Sequence, residues 1–255
     1  MAEELFFRCT ELTTVKLSDH LTQICSYAFA LTNIVTLQLP ETLAYIGENA
    51  FWGCEYLTAI ELPDSIEIIE SFAFEDCRSL ASIMLGKGLR KIGTNPFLNC
   101  RSLSIIGLSA DNINYVVSDG LLYSADYKRL ISCADKQSTG CCAINTETEL
   151  MDEGAFGFSQ LSTVILPGSL SVIKENTFLC CRNLSTVQLS EGIESIEEGA
   201  FSMCDNLREI TIPHSVSSID PSAFSNHITL IVYNGTYGQQ FSINQAMNYH
   251  VIDMP

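Results

Sequence analysis

The sequence predicts a mostly β solenoid: a right-handed superhelix of ~23-residue coils with a β-meander insert and a C-terminal cap. Three observations predict it. First, a phenylalanine returns as Phe6, Phe29, Phe51, Phe74, Phe97, Phe156, Phe178, Phe201 and Phe224, at intervals of 23, 22, 23, 23, 59, 22, 23 and 23. A period in this range marks coils that bury their apolar faces only by stacking. Second, each period carries an L-x-x-I-x-L pattern whose last part alternates inward and outward as a strand requires. Third, Pro40, Pro63, Pro167 and Pro213 follow that pattern, where a missing N–H and a fixed φ end a ladder.

Within one coil, "AFWGCEYLTAIELPDSIEIIESFAF" (residues 50–74) shows the elements in order. Leu57, Ile60 and Leu62 form the first strand. The same slots hold Leu12/Val15/Leu17, Ile34/Leu37/Leu39, Leu80/Ile83/Leu85, Leu161/Val164/Leu166, Leu184/Val187/Leu189 and Leu207/Ile210/Ile212. Stacked at about 4.8 Å per coil, these strands form one parallel sheet. A second apolar pair follows at Leu21/Ile24, Leu43/Ile46, Ile66/Ile69, Leu89/Ile92, Leu170/Ile173, Ile193/Ile196 and Val216/Ile219, and predicts a short strand on the opposite side. The Ala-Phe pair then plugs the core, and the x-x-C-x-x segment turns back as a single helical turn. Asn, Asp, Ser and Gly in the linkers suit tight turns.

These residues resemble the BspA-like, bacterial surface-antigen type of leucine-rich repeat, whose repeats read close to AF-x-x-C-x-x-L-x-x-I-x-L-P-x-S-V-x-x-I-G. Residues 50–74 match nearly slot by slot, and eight or nine such coils cover almost the whole chain. The resemblance implies a leucine-rich-repeat solenoid, a binding or adhesion role with varied partners, and a cell-surface or secreted setting. "YNGTYGQQFSINQAMNYHVI" abandons the period and resembles the family's terminal segment, a short helix followed by a last strand. At the other end the chain opens in the Ala-Phe slot at Leu5-Phe6, so the first coil is expected to present an uncovered edge.

The 59-residue interval holds one coil plus an insertion. Leu103, Ile106 and Leu108 complete a first strand, and Thr148 and Met151 take the second-strand slots before Phe156. Between them, Asp119-Gly120 separates Val116-Val117 from Leu121-Leu122-Tyr123 and signals a two-residue hairpin, since both turn positions need φ > 0. Ala125-Asp126 turns the chain again into Arg129-Leu130-Ile131. The expected layout is one solenoid over 1–255, with repeats at 5–109 and 143–233, a meander insert at 110–142 and a cap at 234–255. A similar "DG-x-LY" hairpin recurs in the family that the repeats resemble. Insertions in solenoids project from one face, so Asp119, Tyr123, Tyr127, Lys128 and Arg129 are candidate surface residues.

Charge narrows the partners. Thirteen Lys+Arg against 30 Asp+Glu give a net of −17, which repels phosphate backbones and anionic lipid. Neither nucleic acid nor direct membrane insertion is expected, since no apolar run reaches the roughly 20 residues of a membrane helix. The acidic start "MAEELFFRC" carries no signal-peptide pattern.

No cofactor, metal or catalytic residue is expected. Of eleven cysteines, Cys9, Cys54, Cys77, Cys100, Cys181 and Cys204 sit three residues after the repeat phenylalanine, the pattern of a buried thiol ladder rather than disulfides. Cys133, Cys141, Cys142 and Cys180-Cys181 are irregular, and a disulfide or metal contact stays open for them. His20, His214, His227 and His250 form no H-x-H or H-E-x-x-H and are expected in surface turns. "GKGLRKIG" (86–93) lacks the phosphate-loop pattern, because Leu89 and Ile92 are second-strand residues. Lys87, Arg90, Lys91 and Arg101 would then form one basic spot. The pairs Glu197-Glu198, Asp152-Glu153 and Glu75-Asp76 predict a solvated acidic edge, with weak calcium binding as the alternative.

The outward slots of the main sheet are the candidate partner-binding face: Lys16, Gln38, Glu61, Met84, Gln188 and Thr211, with Arg208 and Glu209 beside them and Gly107 and Ile165 in the same row. The expected function is a non-enzymatic binding or adhesion module that recognises a protein or glycan through this surface. The alternative is a structural or intracellular scaffold whose copies associate end to end through the N-terminal edge.

Overall fold

The computed structural model describes residues 1–134 and 139–253. The chain divides into two compact units, Met1–Ala125 with Ile131–Lys136, and Asp126–Leu130 with Gln137–Pro255. The division falls inside the strand Arg129–Cys133. Each unit is a β-solenoid.

In the first unit, Ala59–Glu61, Ser82–Leu85 and Ile105–Leu108 pair in parallel, with Ala59 opposite Ser82 and Ser82 opposite Ile105. On the opposite side, Gln23–Ile24, Tyr45–Ile46, Ile68–Ile69 and Lys91–Ile92 form a second parallel ladder. In the second unit, Cys141–Ala143, Thr163–Ile165 and Thr186–Gln188 form one ladder, and Val172–Ile173, Ser195–Ile196 and Ser218–Ile219 its counterpart. Pro63, Pro167 and Pro213 follow strand ends as expected, whereas no strand runs up to Pro40; the carbonyls of Pro40 and Pro63 accept from Leu43 and Ile66 N–H at 3.0 Å and start a turn.

The phenylalanines stack face to face between the two ladders. Ring centroids in the first unit are 5.3, 5.4, 5.1 and 6.0 Å apart from Phe6 through Phe97. In the second they are 5.2, 5.2 and 5.4 Å apart from Phe156 through Phe224. Offset stacking of this kind contributes beyond the area it buries. The helix Tyr237–Asn244, capped by Thr236, sets Phe241 edge-on to Phe224 at 6.5 Å and so closes that stack. Tyr249–Ile252 then adds a last parallel strand beside Thr229–Tyr233.

The turn after the phenylalanine is not a helical turn. Residues there bond alternately within their own coil and to the next one: Phe6 and Arg8 N–H donate to Ala28 and Ala30, while Phe7 and Cys9 N–H donate to Glu4 and Phe6. Positive φ at Arg8, Leu31, Asp76, Asn99, Cys180 and Met203 reverses the backbone once per turn, so no i→i+4 run develops.

The cysteine slot completes this corner. Cys54, Cys77, Cys100, Cys181 and Cys204 are buried, and each thiol donates to the carbonyl of the phenylalanine one coil back, at 3.1 to 3.2 Å. Cys9 occupies the same slot in the first coil and is exposed. Burial pushes the Cys54 thiol up to about 11 and that of Cys204 up to about 12, from an ordinary 9.0. The unfolded chain releases these protons near pH 9 while the folded chain holds them. Their stabilisation is therefore complete below pH 9 and is lost as pH climbs toward 11 to 12. The melting temperature is expected to fall across that window, and by less in a Cys54→Val/Cys204→Val variant. The difference between the two melting curves is the readout, because the ion pairs of Lys91 and Lys128 also weaken at high pH.

The insert opens with the predicted hairpin: Tyr115–Ser118 pairs antiparallel with Leu121–Ser124 around Asp119 (φ 50°) and Gly120 (φ 74°). Its position corrects the expectation of a projecting surface. Leu121, Leu122 and Tyr123 are all buried, and Leu122, Ile131 and Ala134 belong to the first unit's core. Tyr123 is 2% exposed and offers no surface, because both faces of its strand are covered and alternation no longer separates inside from outside.

Residues 112–115 finish the fifth coil. The Asn112 amide donates to the carbonyls of Gly86 (2.9 Å) and Leu89 (3.1 Å) and accepts from Asn114 and Tyr115 N–H. Asn114 donates to Leu89 and the Tyr115 hydroxyl accepts from Ile92 N–H. Elsewhere the next coil does this work, as when the Ser65 hydroxyl donates to Leu43. Asn112→Ala is expected to cost about 1–3 kcal/mol by orphaning these groups, read as a shift in the urea midpoint.

Candidate functional site

The outward slots of the main sheet lie at the surface in both units. Lys16, Gln38, Glu61 and Met84 are exposed at successive coils of the first unit, and Gln188, Arg208, Glu209 and Thr211 are exposed in the second. Gly107 and Ile165 are half-buried. The Met84 thioether lies over Gly107, where an added Cβ would meet its sulfur at 2.5 Å. Many hydroxyls of this face are tied to the backbone: Ser104, Ser162 and Ser185 each donate to a carbonyl one coil back.

The first two coils depart from the regular sheet. Residues 12–17 and 34–39 form no ladder strand, although their sequence pattern matches the others. One backbone bond joins each neighbouring pair at the strand start, Val35 N–H to Thr13 and Thr58 N–H to Val35. The bond that closes a strand end is made by Leu62 to Met84 (3.1 Å), Leu166 to Gln188 (3.0 Å) and Ile212 to Ile231 (2.9 Å). Among the described residues it is missing between Leu17 and Gln38 and between Leu39 and Glu61. These coils stay joined on their other sides, through Phe6 to Ala28 and Gly47 to Ile24, so they open on the sheet side alone.

Two clefts result. One of about 350 Å³ lies among residues 14–19 and 36–40 and includes Lys16 and Gln38. The other, of about 790 Å³, lies between residues 36–41 and 59–64 and includes Gln38 and Glu61. The ladder also breaks between Thr186–Gln188 and Glu209–Thr211, the strands that carry Gln188, Glu209 and Thr211. Three of the four expected first-unit face residues thus line openings in the sheet. The sequence carried no signal for the openings themselves.

Several charged groups elsewhere serve the scaffold. Lys87, Arg90 and Lys91 do not form a basic spot, because each pairs with a carboxylate one coil back: Asp64 (3.2 Å), Glu67 and Glu70 (2.9 Å). Hydrogen bonds from Lys87 hold the Asp64 carboxyl below its ordinary range. In the insert, Asp119 and Lys128 are exposed and Tyr127 is half-buried, while Lys128 pairs with Glu149 at 2.7 Å. Arg129 is committed to Asp152, with Nη2 to Oδ2 at 2.6 Å, and Asp152 is only 3% exposed. Asp152 therefore leaves the expected acidic edge. Burial, with Glu175 nearby, raises the Glu153 carboxyl. Among the described residues no three His, Cys, Asp or Glu side chains converge as a metal site. His214 stacks on Tyr233 at 3.8 Å and bonds Glu191 at 3.0 Å, and His227 bonds the Cys204 carbonyl. Of the irregular cysteines, Cys133 and Cys142 are buried, Cys141 is exposed, and Cys180 lies 3.3 Å from the Met203 sulfur.

Comparison with known proteins gives a consistent result. The model of the BspA type leucine rich repeat region matches in six copies over residues 1–120 and 137–236. The pneumococcal vaccine antigen PcpA superposes with a TM-score of 0.77 at 20% identity, over 92% of this chain and 71% of that one. A leucine rich cell surface protein from Faecalibacterium prausnitzii gives 0.73 at 22% identity, over 99% and 76%. A leucine-rich repeat protein from Eubacterium ventriosum gives 0.58 at 20%, over 86% and 78%. A search of curated proteins finds no match. Among the described residues no helix is long and apolar enough to cross a membrane.

Proposed function

This chain belongs to the BspA-type leucine-rich repeat family, and from that premise we propose that it is a non-enzymatic binding or adhesion module of the bacterial cell surface. It recognises a protein or glycan partner through the outward face of its main sheet. The observation that carries this reading is the exposed row of Lys16, Gln38, Glu61 and Met84, interrupted by two clefts open to solvent. The buried thiols and the Arg129–Asp152 pair elsewhere are committed to scaffold contacts. A vaccine antigen and a cell surface protein among the structural relatives support the surface setting.

The test probes glycan arrays and surface-protein extracts with the purified chain and two face variants. Lys16→Glu/Glu61→Lys alters the first unit's face, and Arg208→Glu/Thr211→Tyr alters the second's. A partner lost with either variant, while circular dichroism stays unchanged, supports the reading. A partner held equally by both variants removes the sheet face as the binding surface.

A further inference from the structure

The larger cleft has a chemistry that most of the sheet face lacks. On one wall the N–H of Leu39, and on the other the carbonyl of Glu61, miss the inter-coil bond that Leu62 makes to Met84. The N–H and carbonyl groups of residues 36–38 likewise form no backbone hydrogen bond among the described residues. A strand edge with unmade bonds is a template for another backbone. The lining also has a sign: Glu41, Glu61 and Asp64 contribute carboxylates, and no Lys or Arg lines the cleft. Asp64 is paired with Lys87, whereas Glu41 and Glu61 enter no salt bridge among the described residues. Leu39 and Leu62 supply apolar wall between these groups.

The geometry points to a peptide-binding cleft between residues 36–41 and 59–64, which takes an extended segment of a partner protein carrying lysine or arginine. The backbone of that segment hydrogen-bonds along one wall, at the Leu39 N–H or the Glu61 carbonyl, because the Thr58–Val35 and Ser65–Leu43 bonds hold the two walls at one-coil spacing at either end. Its basic side chains meet Glu41 and Glu61, and its apolar side chains meet Leu39 and Leu62. This inference rests on the sheet-face reading above and narrows it to one partner chemistry and one position.

The test uses the full chain and a fluorescein-labelled heptapeptide of alternating valine and threonine with two lysines. Saturable binding by fluorescence anisotropy is expected, and hydrogen exchange should slow in residues 36–41 and 59–64 on binding. Methylating alternate peptide nitrogens, or replacing both lysines by aspartate, should weaken binding by about ten-fold or more. Glu41→Lys/Glu61→Lys should do the same with unchanged circular dichroism. Absence of saturable binding overturns the inference, as does equal binding of the N-methylated peptide. Protection confined to residues 163–188 also overturns it, but leaves the sheet-face reading standing. A partner lost with Arg208→Glu/Thr211→Tyr and held by Glu41→Lys/Glu61→Lys separates the two in the same way.

Discussion

Replacing Phe74 by alanine is expected to lower the unfolding free energy by about 3–5 kcal/mol, the range for removing a fully buried aromatic side chain. Phe74 is 0% exposed, with Phe51 at 5.1 Å on one side and Phe97 at 6.0 Å on the other. The cavity would lie between coils held at fixed spacing by backbone bonds from Phe51 to Ala73 and from Phe74 to Pro96 (both 2.8 Å), so neighbouring atoms cannot collapse into it. Phe6 stands at the end of this stack, is half-buried and has one ring neighbour along it, so Phe6→Ala should cost clearly less. Urea unfolding followed by far-ultraviolet circular dichroism measures both. A Phe74→Ala midpoint no lower than that of Phe6→Ala would show that the stack is not what joins the coils.

Leu122→Asp is the second large effect expected. Leu122 is 0% exposed inside the first unit's core, and an unpaired carboxylate there should cost about 3 kcal/mol or more. Asp119→Asn, at the exposed turn of the same hairpin, keeps a residue that tolerates φ > 0 and should be close to neutral. Thermal melting and limited proteolysis separate the two outcomes. If Leu122→Asp melts with the parent chain, the insert is decoration and its burial contributes nothing to the fold.

The contrast between these two variants also marks how far the sequence could be read. The phenylalanine stack and the thiol slot were legible because a fixed interval places equivalent residues over one another, whatever the details of each coil. Tyr123 was misread because it lies in a strand covered on both faces, where alternation carries no information. Lys87, Arg90 and Lys91 were misread because an adjacent residue in a solenoid is ~23 positions away in the chain. The expected helical turn failed because its sequence does not announce positive φ at residues such as Leu31 and Cys180. Asn112 and Asn114 fall in the expected meander insert, and only the tertiary structure sets them against the carbonyls of Gly86 and Leu89.

The candidate face divides along the same line. The cap came from the resemblance to the family's terminal segment, whereas periodicity alone determined the solenoid class, the inward and outward slots and the exposure of Lys16, Gln38 and Glu61. Each of these follows from a residue's place within its own coil. Only the tertiary structure decided where the sheet opens. Residues 12–17 and 34–39 carry the same apolar pattern as 57–62, yet only the last group completes its ladder. A ladder bond depends on the separation of neighbouring coils to within a fraction of an ångström. That separation belongs to the stack as a whole, and no single repeat encodes it.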